Sequence, residues 1–319
     1  MLDLPLRGPQ STMAATPRIH AISLAPMSAA QKARLKGLGE LRYFDAVLGD
    51  LRLAEQCRGA EILIVTPRLH LDIVPYLDGC RFISVQGAGT DALDVVAARG
   101  KGILVSNVPD FCSDAVAEHA FALLLAVAKN LEAGRATLQQ SRWQTALAYP
   151  TIGLKGQTLG LFGCGKIGSR IAALGRAFGM RVLATTRSPR GTHFEQLLAE
   201  SDFLVIAAPA TPETRGRFNA AAFAAMKPGA VLVNISRAAL VDDGALLAAL
   251  DTGRLAGAAV DVFSHEPPPP DHPLLHHPRL LVSPHVAWGT ADAVERLLDL
   301  SIENVEAFLS GRPIHLVEP

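Results

Sequence analysis

Short apolar runs separated by amphipathic stretches occupy the first third of the chain. They lie at residues 19–24, 41–44, 62–65, 82–85 and 103–105. Apolar runs of this length, alternating with helical patterns, are typical of strands buried on both faces of a parallel sheet. This region is therefore predicted to form one α/β domain.

A second series of the same kind begins near residue 159. Its runs lie at residues 159–162, 181–184, 203–207, 230–235, 257–262 and 280–282. The 114–140 segment predicts a long apolar helix between the two series, and 291–309 predicts an amphipathic helix that returns to the first. The predicted fold class is α/β, with two doubly wound parallel-sheet domains, Rossmann-like or flavodoxin-like, and an active-site cleft between them.

The two series set the expected domain boundaries. Residues 18–113 together with 291–319 are expected to form a substrate-binding domain, and 114–290 a dinucleotide-binding domain. Residues 1–17, with several prolines and no regular apolar pattern, are expected to be a disordered extension.

Charge and composition narrow the possible functions. The 30 Lys and Arg residues balance 30 Asp and Glu, so neither a nucleic-acid surface nor a polybasic membrane surface is indicated. The longest apolar stretch, 120–128, is shorter than the roughly 20 residues of a membrane helix. Four scattered cysteines and no apolar block of signal-peptide type favour a cytoplasmic protein that contacts neither nucleic acid nor membrane.

A glycine-rich loop follows the first strand of the second series. Gly163, Gly165 and Gly168 form a G-x-G-x-x-G pattern between that strand and an alanine-rich helix, with Lys166 and Ile167 inside the loop. The three glycines allow a tight turn, close approach of a pyrophosphate and close packing of helix on strand. The context predicts that all five residues bind a dinucleotide.

The end of the next strand predicts which dinucleotide is preferred. An acidic residue there would bind both ribose hydroxyls and repel a 2′-phosphate, but this chain has Thr186, followed by Arg187, Ser188 and Arg190. Guanidinium and hydroxyl groups suit a phosphate dianion, so NADP(H) is predicted to be preferred and NAD(H) to be possible. The alternative is a solvated basic loop.

The order of several motifs resembles the D-isomer-specific 2-hydroxyacid dehydrogenase family from about Arg18 to Leu316, and is closest to its NADP-preferring glyoxylate and hydroxypyruvate reductases. Besides the glycine loop, the motifs are Gly-Ala-Gly-Thr-Asp at 87–91, Val-Ala-Glu-His at 116–119, Asn-Ile-Ser-Arg at 234–237, Asp-Val-Phe-Ser-His-Glu-Pro at 261–267 and Ser-Pro-His-Val-Ala-Trp at 283–288.

The resemblance implies a catalytic set of Arg237, Glu266 and His285, each just after a strand of the nucleotide domain. Reduction of a 2-oxo acid needs a cation for the carboxylate and carbonyl and a proton donor for the new alkoxide. A carboxylate beside a histidine favours the imidazolium form, so His285 would be the acid and Glu266 its partner. Taken singly, these residues could be a surface arginine, a solvated carboxylate and a structural histidine.

The resemblance also implies further contacts. The backbone amides of Ala88 and Gly89 would bind the substrate carboxylate, Asp261 would hold the nicotinamide carboxamide, and Pro209 and Ile235 would complete the cofactor site. Five histidines lie between 265 and 285, but the proline run at 267–270 and the absence of regular ligand spacing favour a loop that binds no metal.

Trp288, three residues after His285, resembles the arrangement in hydroxypyruvate and glyoxylate reductases of the family. An indole would narrow the substrate pocket and favour small 2-oxo acids such as glyoxylate and hydroxypyruvate, unless Trp288 only packs a hinge. The alternatives are D-3-phosphoglycerate dehydrogenase or another D-2-hydroxyacid dehydrogenase, and a dinucleotide-sensing protein similar to corepressors. The family resemblance further implies a homodimer formed through the linking helix.

Overall fold

The computed structural model describes residues 16–23, 25–44, 50–67, 71–140, 143, 151–186 and 191–318. The chain divides into two compact units, Met1–Phe111 with Ala291–Pro319, and Cys112–Thr290. The sequence placed the first boundary after residue 113, and the structure has it after Phe111. The expected disorder of residues 1–17 concerns positions that, up to residue 15, lie outside the described residues.

The first unit contains a five-stranded parallel sheet in the order β2-β1-β3-β4-β5. Its strands are β1 (Arg18–Ile22), β2 (Glu40–Phe44), β3 (Ile62–Val65), β4 (Phe82–Val85) and β5 (Leu104–Ser106). Its helices are α1 (Ala29–Leu38), α2 (Asp50–Cys57), α3 (Val95–Gly100) and α10 (Ala291–Leu309).

The returning helix α10 packs on this first sheet. Its apolar side chains Leu298, Ile302 and Val305 are buried against residues of β1, β3 and β4. Asn304 on the same helix is fully buried and donates from Nδ2 to the carbonyl oxygen of Asn107, 2.9 Å away. The apolar residues that recur at helical spacing along α10 therefore form the face that packs in the core of the first unit.

The second unit contains a six-stranded sheet in the order β11-β10-β9-β8-β6-β7, again with every pair parallel. Its strands are β6 (Thr158–Phe162), β7 (Arg181–Thr185), β8 (Phe203–Ile206), β9 (Ala230–Asn234), β10 (Leu255–Val260) and β11 (Leu280–Val282). Its helices are α4 (Ser113–Ala128), α5 (Leu131–Gln139), α6 (Lys166–Ala177), α7 (Phe194–Glu200), α8 (Ala220–Ala225) and α9 (Asp243–Asp251). The prediction of two parallel-sheet α/β domains is confirmed.

Two predicted elements have different bounds in the structure. The single helix expected over 114–140 is wrong, because α4 ends at Ala128 and α5 begins at Leu131. Between them Asn130 has a φ of 52°, a left-handed conformation that ends helices and that asparagine tolerates better than most residues. The strand expected at 257–262 ends at Val260, so Asp261 lies in the loop beyond it.

No helix in the described parts of the chain has the length and apolar character needed to cross a membrane.

Candidate active site

The predicted catalytic residues follow three neighbouring strands of the second unit. Arg237 comes after β9, Glu266 after β10 and His285 after β11, and these strands are adjacent in the order β11-β10-β9. The carboxyl ends of parallel strands meet at one edge of a sheet. All three residues therefore extend from the same edge, where the glycine loop after β6 also lies.

Glu266 and His285 form a direct ion-pair contact. Nδ1 of His285 lies 2.6 Å from Oε2 of Glu266, and the Nδ1–H group donates. The other carboxylate oxygen, Oε1, accepts from the backbone N–H of Phe263 at 3.1 Å. Both side chains are partly accessible, at 29% and 25%. A carboxylate fixed in this way holds the imidazole ring of His285 in one orientation.

The backbone of His285 adopts an uncommon conformation. Its φ is 53°, in the left-handed region that costs a residue with a side chain on the order of 1–3 kcal/mol. The indole Nε1–H of Trp288 donates to the carbonyl oxygen of His285 over 3.1 Å, and the His285 amide donates to the carbonyl oxygen of Ser283 over 3.1 Å. The surrounding structure therefore holds His285 in a turn that it would not favour alone.

Asp261 anchors the residues after His285. It is fully buried, and its carboxylate accepts from the backbone amides of Val286 at 3.0 Å and Ala287 at 2.9 Å. The Ser283 hydroxyl donates to the same carboxylate at 2.5 Å and accepts from Nε2 of His119 at 3.0 Å. Burial alone would raise the pKa of the Asp261 carboxyl, but these hydrogen bonds outweigh it and hold the pKa below its ordinary value.

Arg237 lies in a loop that Asn234 fixes. The Asn234 side chain is 1% exposed; its Oδ1 accepts from the Ser236 amide at 3.1 Å and its Nδ2 donates to the Arg237 carbonyl oxygen at 3.0 Å. The Ser236 hydroxyl donates to the carbonyl oxygen of Ala208 in the loop after β8. Arg237 itself is half-buried. The hydrogen bond from Asn234 to its carbonyl oxygen fixes the backbone that carries the guanidinium group at the edge of the sheet.

The glycine loop has the close contacts that its pattern predicts. Gly163 has a φ of 99°, and a Cβ there would lie 2.8 Å from the Cα of Ala208. A Cβ on Gly168 would lie 2.4 Å from the carbonyl oxygen of Gly163, whereas a Cβ on Gly165 would meet no atom within 4 Å. The loop is thus tightly packed beneath and open at Gly165, at the start of α6, as the pyrophosphate of a dinucleotide requires.

The other predicted cofactor residues differ in burial. Ile167 and Ile235 pack with the hydrophobic core of the second unit, and Lys166 is exposed. Thr186 and Pro209 are exposed after β7 and β8. Arg187, Ser188 and Arg190 lie outside the described residues.

The predicted carboxylate-binding loop belongs to the first unit. Ala88 is exposed and Gly89 half-exposed, directly after β4. The Asn107 side chain donates from Nδ2 to the Ala88 carbonyl oxygen at 2.7 Å, and the Val108 amide donates to the Gly87 carbonyl oxygen at 2.9 Å. Two residues that follow β5 therefore bind the carbonyl oxygens of Gly87 and Ala88 and fix the backbone of this loop.

Three supporting residues have roles that the sequence does not predict. His119, Ser283 and Asn234 lie in motifs of the family, but the motifs do not indicate what these side chains bind. The partners of His119 and Ser283 are remote in sequence, and those of Asn234 are backbone atoms, so the spacing of residue types does not reveal them. In the parts of the chain that the structure describes, no group of three or more His, Cys, Asp or Glu side chains could hold a metal ion.

The parallel sheet, the glycine loop and the histidine–carboxylate pair are together those of a dinucleotide-dependent dehydrogenase. The family model described as D-isomer specific 2-hydroxyacid dehydrogenase, NAD binding domain, matches residues 121–287. A glycerate dehydrogenase of Methylorubrum extorquens is 33% identical over 289 residues, covering 88% of this chain and 92% of that protein. A glyoxylate reductase of Aeropyrum pernix is 37% identical over 302 residues, covering 86% and 90%.

The fold agrees with these sequence relatives. The crystal structure of the TT0316 protein from Thermus thermophilus superposes with a TM-score of 0.86 at 35% identity, covering 94% of this chain and 100% of that one. The chain belongs to the D-isomer-specific 2-hydroxyacid dehydrogenase family, as its motifs predicted. It is an oxidoreductase with an NAD(P)-binding domain that reduces a 2-oxo acid.

Proposed function

We propose that this protein reduces glyoxylate or hydroxypyruvate with NADPH, and that His285 is the general acid and base of the reaction. The 2.6 Å contact between His285 and Glu266 is the observation that carries the proposal. It gives a proton donor with a fixed orientation at the sheet edge where the dinucleotide loop also lies. In the reverse direction the same imidazole accepts the hydroxyl proton.

The proton transfer follows from the orientation of the imidazole. Because Glu266 accepts from Nδ1 of His285, the proton that reaches the new alkoxide comes from Nε2. When bound, the reduced nicotinamide supplies a hydride to C2 of the substrate, and the carbonyl π bond becomes the O–H bond. Glu266 holds the imidazole in the orientation that presents Nε2 for this transfer.

Arg237 is proposed to bind the substrate carboxylate and to stabilise the negative charge that develops on the carbonyl oxygen. A guanidinium offers several N–H donors in a planar fork and stays charged at every relevant pH. Its Nη1 already donates to the Ser236 carbonyl oxygen at 3.0 Å, which restrains the side chain. The amides of Ala88 and Gly89 are proposed as further donors to the carboxylate.

The residues of the second unit fit a dinucleotide, with the open space at Gly165 for the pyrophosphate and the amino end of α6 for its charge. Preference for NADP(H) is supported by Thr186 in place of an acidic residue, followed in the sequence by Arg187, Ser188 and Arg190. Asp261 is proposed to accept a hydrogen bond from the nicotinamide carboxamide. Its carboxylate oxygens also accept from the Val286 and Ala287 amides in the turn after His285.

Two observations support a small substrate. Trp288 is half-buried and held beside His285 by its hydrogen bond, which places a bulky group next to the proposed acid. The names of the relatives, a glycerate dehydrogenase and a glyoxylate reductase, agree, since hydroxypyruvate is the 2-oxo acid corresponding to glycerate. Branched or aromatic 2-oxo acids are expected to react poorly.

A kinetic matrix tests the proposal. NADPH and NADH are each paired with glyoxylate, hydroxypyruvate, pyruvate, 3-phosphohydroxypyruvate and phenylpyruvate, and kcat/KM is measured for every pair. We expect the largest values for NADPH with the first two acids. Preference for NADH would refute the cofactor assignment, and preference for phenylpyruvate the substrate assignment. Preference for the phosphorylated acid would indicate a phosphoglycerate dehydrogenase, and absence of turnover a dinucleotide-sensing protein.

A homodimer formed through the segment that contains α4 and α5 is also proposed. Leu131 and Leu138, about two turns apart on the same face of α5, are each 59% exposed, and Trp143 is 88% exposed. A second copy of the chain would cover this apolar surface. Sedimentation equilibrium should give twice the chain mass, and the Leu131→Glu, Leu138→Glu double variant should sediment as a monomer.

A cytoplasmic location is also proposed. Four free cysteines agree with a reducing compartment.

A further inference from the structure

We propose that Trp288 is a positioning residue for His285, because its indole N–H holds the His285 carbonyl group in the left-handed turn that directs the imidazole toward Glu266. The inference rests on the proposed function, in which His285 is the acid. It assigns to Trp288 a second role beside the limit on substrate size.

The geometry of the turn gives the first reason. His285 has a φ of 53°, and the hydrogen bond to its carbonyl oxygen comes from a side chain, Nε1 of Trp288, at 3.1 Å. In the same turn the Val286 carbonyl oxygen accepts from the Gly289 amide at 2.8 Å. The backbone bond closes the turn around Trp288, and the indole bond fixes the peptide group that follows the strained residue.

The surroundings of the indole give the second reason. Trp288 packs against the hydrophobic core of the second unit, beside Ala287, which is 5% exposed. A ring packed against the core provides a fixed point from which to hold the turn. Asp261 accepts from the next two peptide amides, those of Val286 and Ala287, at 3.0 Å and 2.9 Å. The carbonyl group of His285 and the two following amides are thus each bound by a side chain.

The chemistry of proton transfer gives the third reason. A left-handed histidine that loses this support can relax toward the right-handed or extended region, which would turn its imidazole away from Glu266. General-acid catalysis depends on the donor lying within hydrogen-bond reach of the developing alkoxide, and small displacements reduce the rate strongly. Loss of the indole N–H should therefore lower kcat while it leaves cofactor binding unchanged.

The chain contains two tryptophans, Trp143 and Trp288, so a single-atom test is possible. In a Trp143→Phe background, a tryptophan auxotroph can incorporate β-(3-benzothienyl)alanine at position 288, which replaces the indole N–H by sulfur and keeps the bicyclic shape. The matched control is 5-fluorotryptophan, introduced in the same way, which keeps the N–H. Both proteins are compared for kcat, KM for glyoxylate and Kd for NADPH.

We expect the benzothienyl protein to lose about tenfold in kcat, as for one hydrogen bond, with KM and the Kd for NADPH within about twofold of the fluorotryptophan control. The low-field proton resonance of the His285 Nδ1–H group should broaden or move upfield, since its contact with Glu266 weakens. Equal kcat values and equal resonances in the two proteins would overturn the inference.

Two further variants separate the possible failures. If the benzothienyl protein does not fold, Trp288→Phe decides: a lower kcat for glyoxylate together with a shifted His285 Nδ1–H resonance supports positioning, whereas an unchanged resonance or an unchanged kcat overturns it. His285→Ala tests the proposed function itself. Near-normal turnover of His285→Ala would refute the acid role, while an inactive His285→Ala together with an unaffected benzothienyl protein would refute the positioning role alone.

Discussion

Glu266 holds the imidazole of His285 with one carboxylate oxygen while a backbone amide holds the other. The distances are 2.6 Å to Nδ1 of His285 and 3.1 Å from the Phe263 nitrogen, so the carboxylate is oriented from both sides. This arrangement differs from a chance surface ion pair, because the loop backbone determines the direction of the carboxylate. The pair is therefore suited to hold the imidazole of His285 in one orientation.

Glu266→Gln should reduce catalysis while it preserves the fold. Glutamine can still accept from Nδ1 of His285, but it lacks the negative charge that strengthens this hydrogen bond. We expect kcat for reduction to fall by about 10- to 100-fold at neutral pH, because the imidazole is held less firmly. Steady-state kinetics with glyoxylate provide the measurement, and a kcat equal to that of the wild type would contradict the explanation.

Asn234→Ala should disorder the loop that carries Arg237. Both ends of the amide are bound to backbone atoms of that loop, and the side chain is 1% exposed. We expect kcat/KM for the 2-oxo acid to fall by about 10-fold or more, because the guanidinium loses its fixed position. Asn219→Ala is the matched control: Asn219 caps α8 through the Ala221 and Ala222 amides, so this variant should lose stability but keep its kinetic constants.

Gly165→Ala and Gly168→Ala should separate cofactor binding from folding. A methyl group on Gly165 would meet no atom within 4 Å, so stability should be nearly unchanged while the Kd for NADPH rises about 10-fold or more. A methyl group on Gly168 would lie 2.4 Å from the Gly163 carbonyl oxygen, so both stability and binding should decline. Urea unfolding and NADPH fluorescence titration measure the two effects. Gly37→Ala is the control for Gly165→Ala, because a methyl group there also meets no atom within 4 Å and Gly37 is remote in sequence from the glycine loop. The control variant should keep the Kd for NADPH of the wild type.

Asp261→Asn should weaken the turn after His285. The fully buried carboxylate accepts from the Val286 and Ala287 backbone amides and from the Ser283 hydroxyl. An asparagine side chain has no negative charge and only one acceptor oxygen in place of two. We expect the free energy of unfolding at neutral pH to fall by about 1–3 kcal/mol. Because the folded-state pKa of Asp261 lies below 3.8, its contribution is present above pH 3.8 and is lost as pH falls through the lower folded value. An equal difference between wild type and variant at pH 3 and pH 7 would contradict this linkage.

His20 should make the first unit sensitive to mild acid. It is 1% exposed in β1, with Nδ1 2.7 Å from the Gln56 carbonyl oxygen, and burial lowers its pKa below 6.5 despite that hydrogen bond. Below pH 6.5 the unfolded chain binds a proton that the folded chain does not, so stability falls as pH decreases toward the folded pKa. In His20→Gln the loss of unfolding free energy between pH 7.5 and 5.5 should be smaller, by at most about 1.4 kcal/mol per pH unit. Urea titrations at the two pH values provide the comparison, and equal losses would contradict burial of a neutral imidazole.

The sequence predicted the elements whose signal is local. Apolar runs gave both parallel sheets, and the glycine pattern gave the loop between β6 and α6, because burial and close packing are visible in residue type alone. It failed where the decisive contact is a bond to backbone. The run at 257–262 continues past the end of β10 at Val260, and only the structure shows Asp261 bound to the Val286 and Ala287 amides.

The break between α4 and α5 illustrates the same limit. Only two polar residues, Lys129 and Asn130, separate the apolar run at 120–128 from Leu131, so periodicity alone predicts one helix. A left-handed residue at Asn130 costs little for asparagine, and the local pattern does not reveal it. The roles of His119 and Asn234 were also missed, since the identity of a partner cannot be read from spacing.

The turn after His285 is held by backbone amides rather than by the side chain at position 286. Val286 contributes its N–H to Asp261, while its side chain is 44% exposed. Any residue other than proline can supply that N–H. Position 286 is therefore a place where a protein engineer can vary the size and polarity of the residue that follows His285 and leave the hydrogen bonds of the turn unaltered.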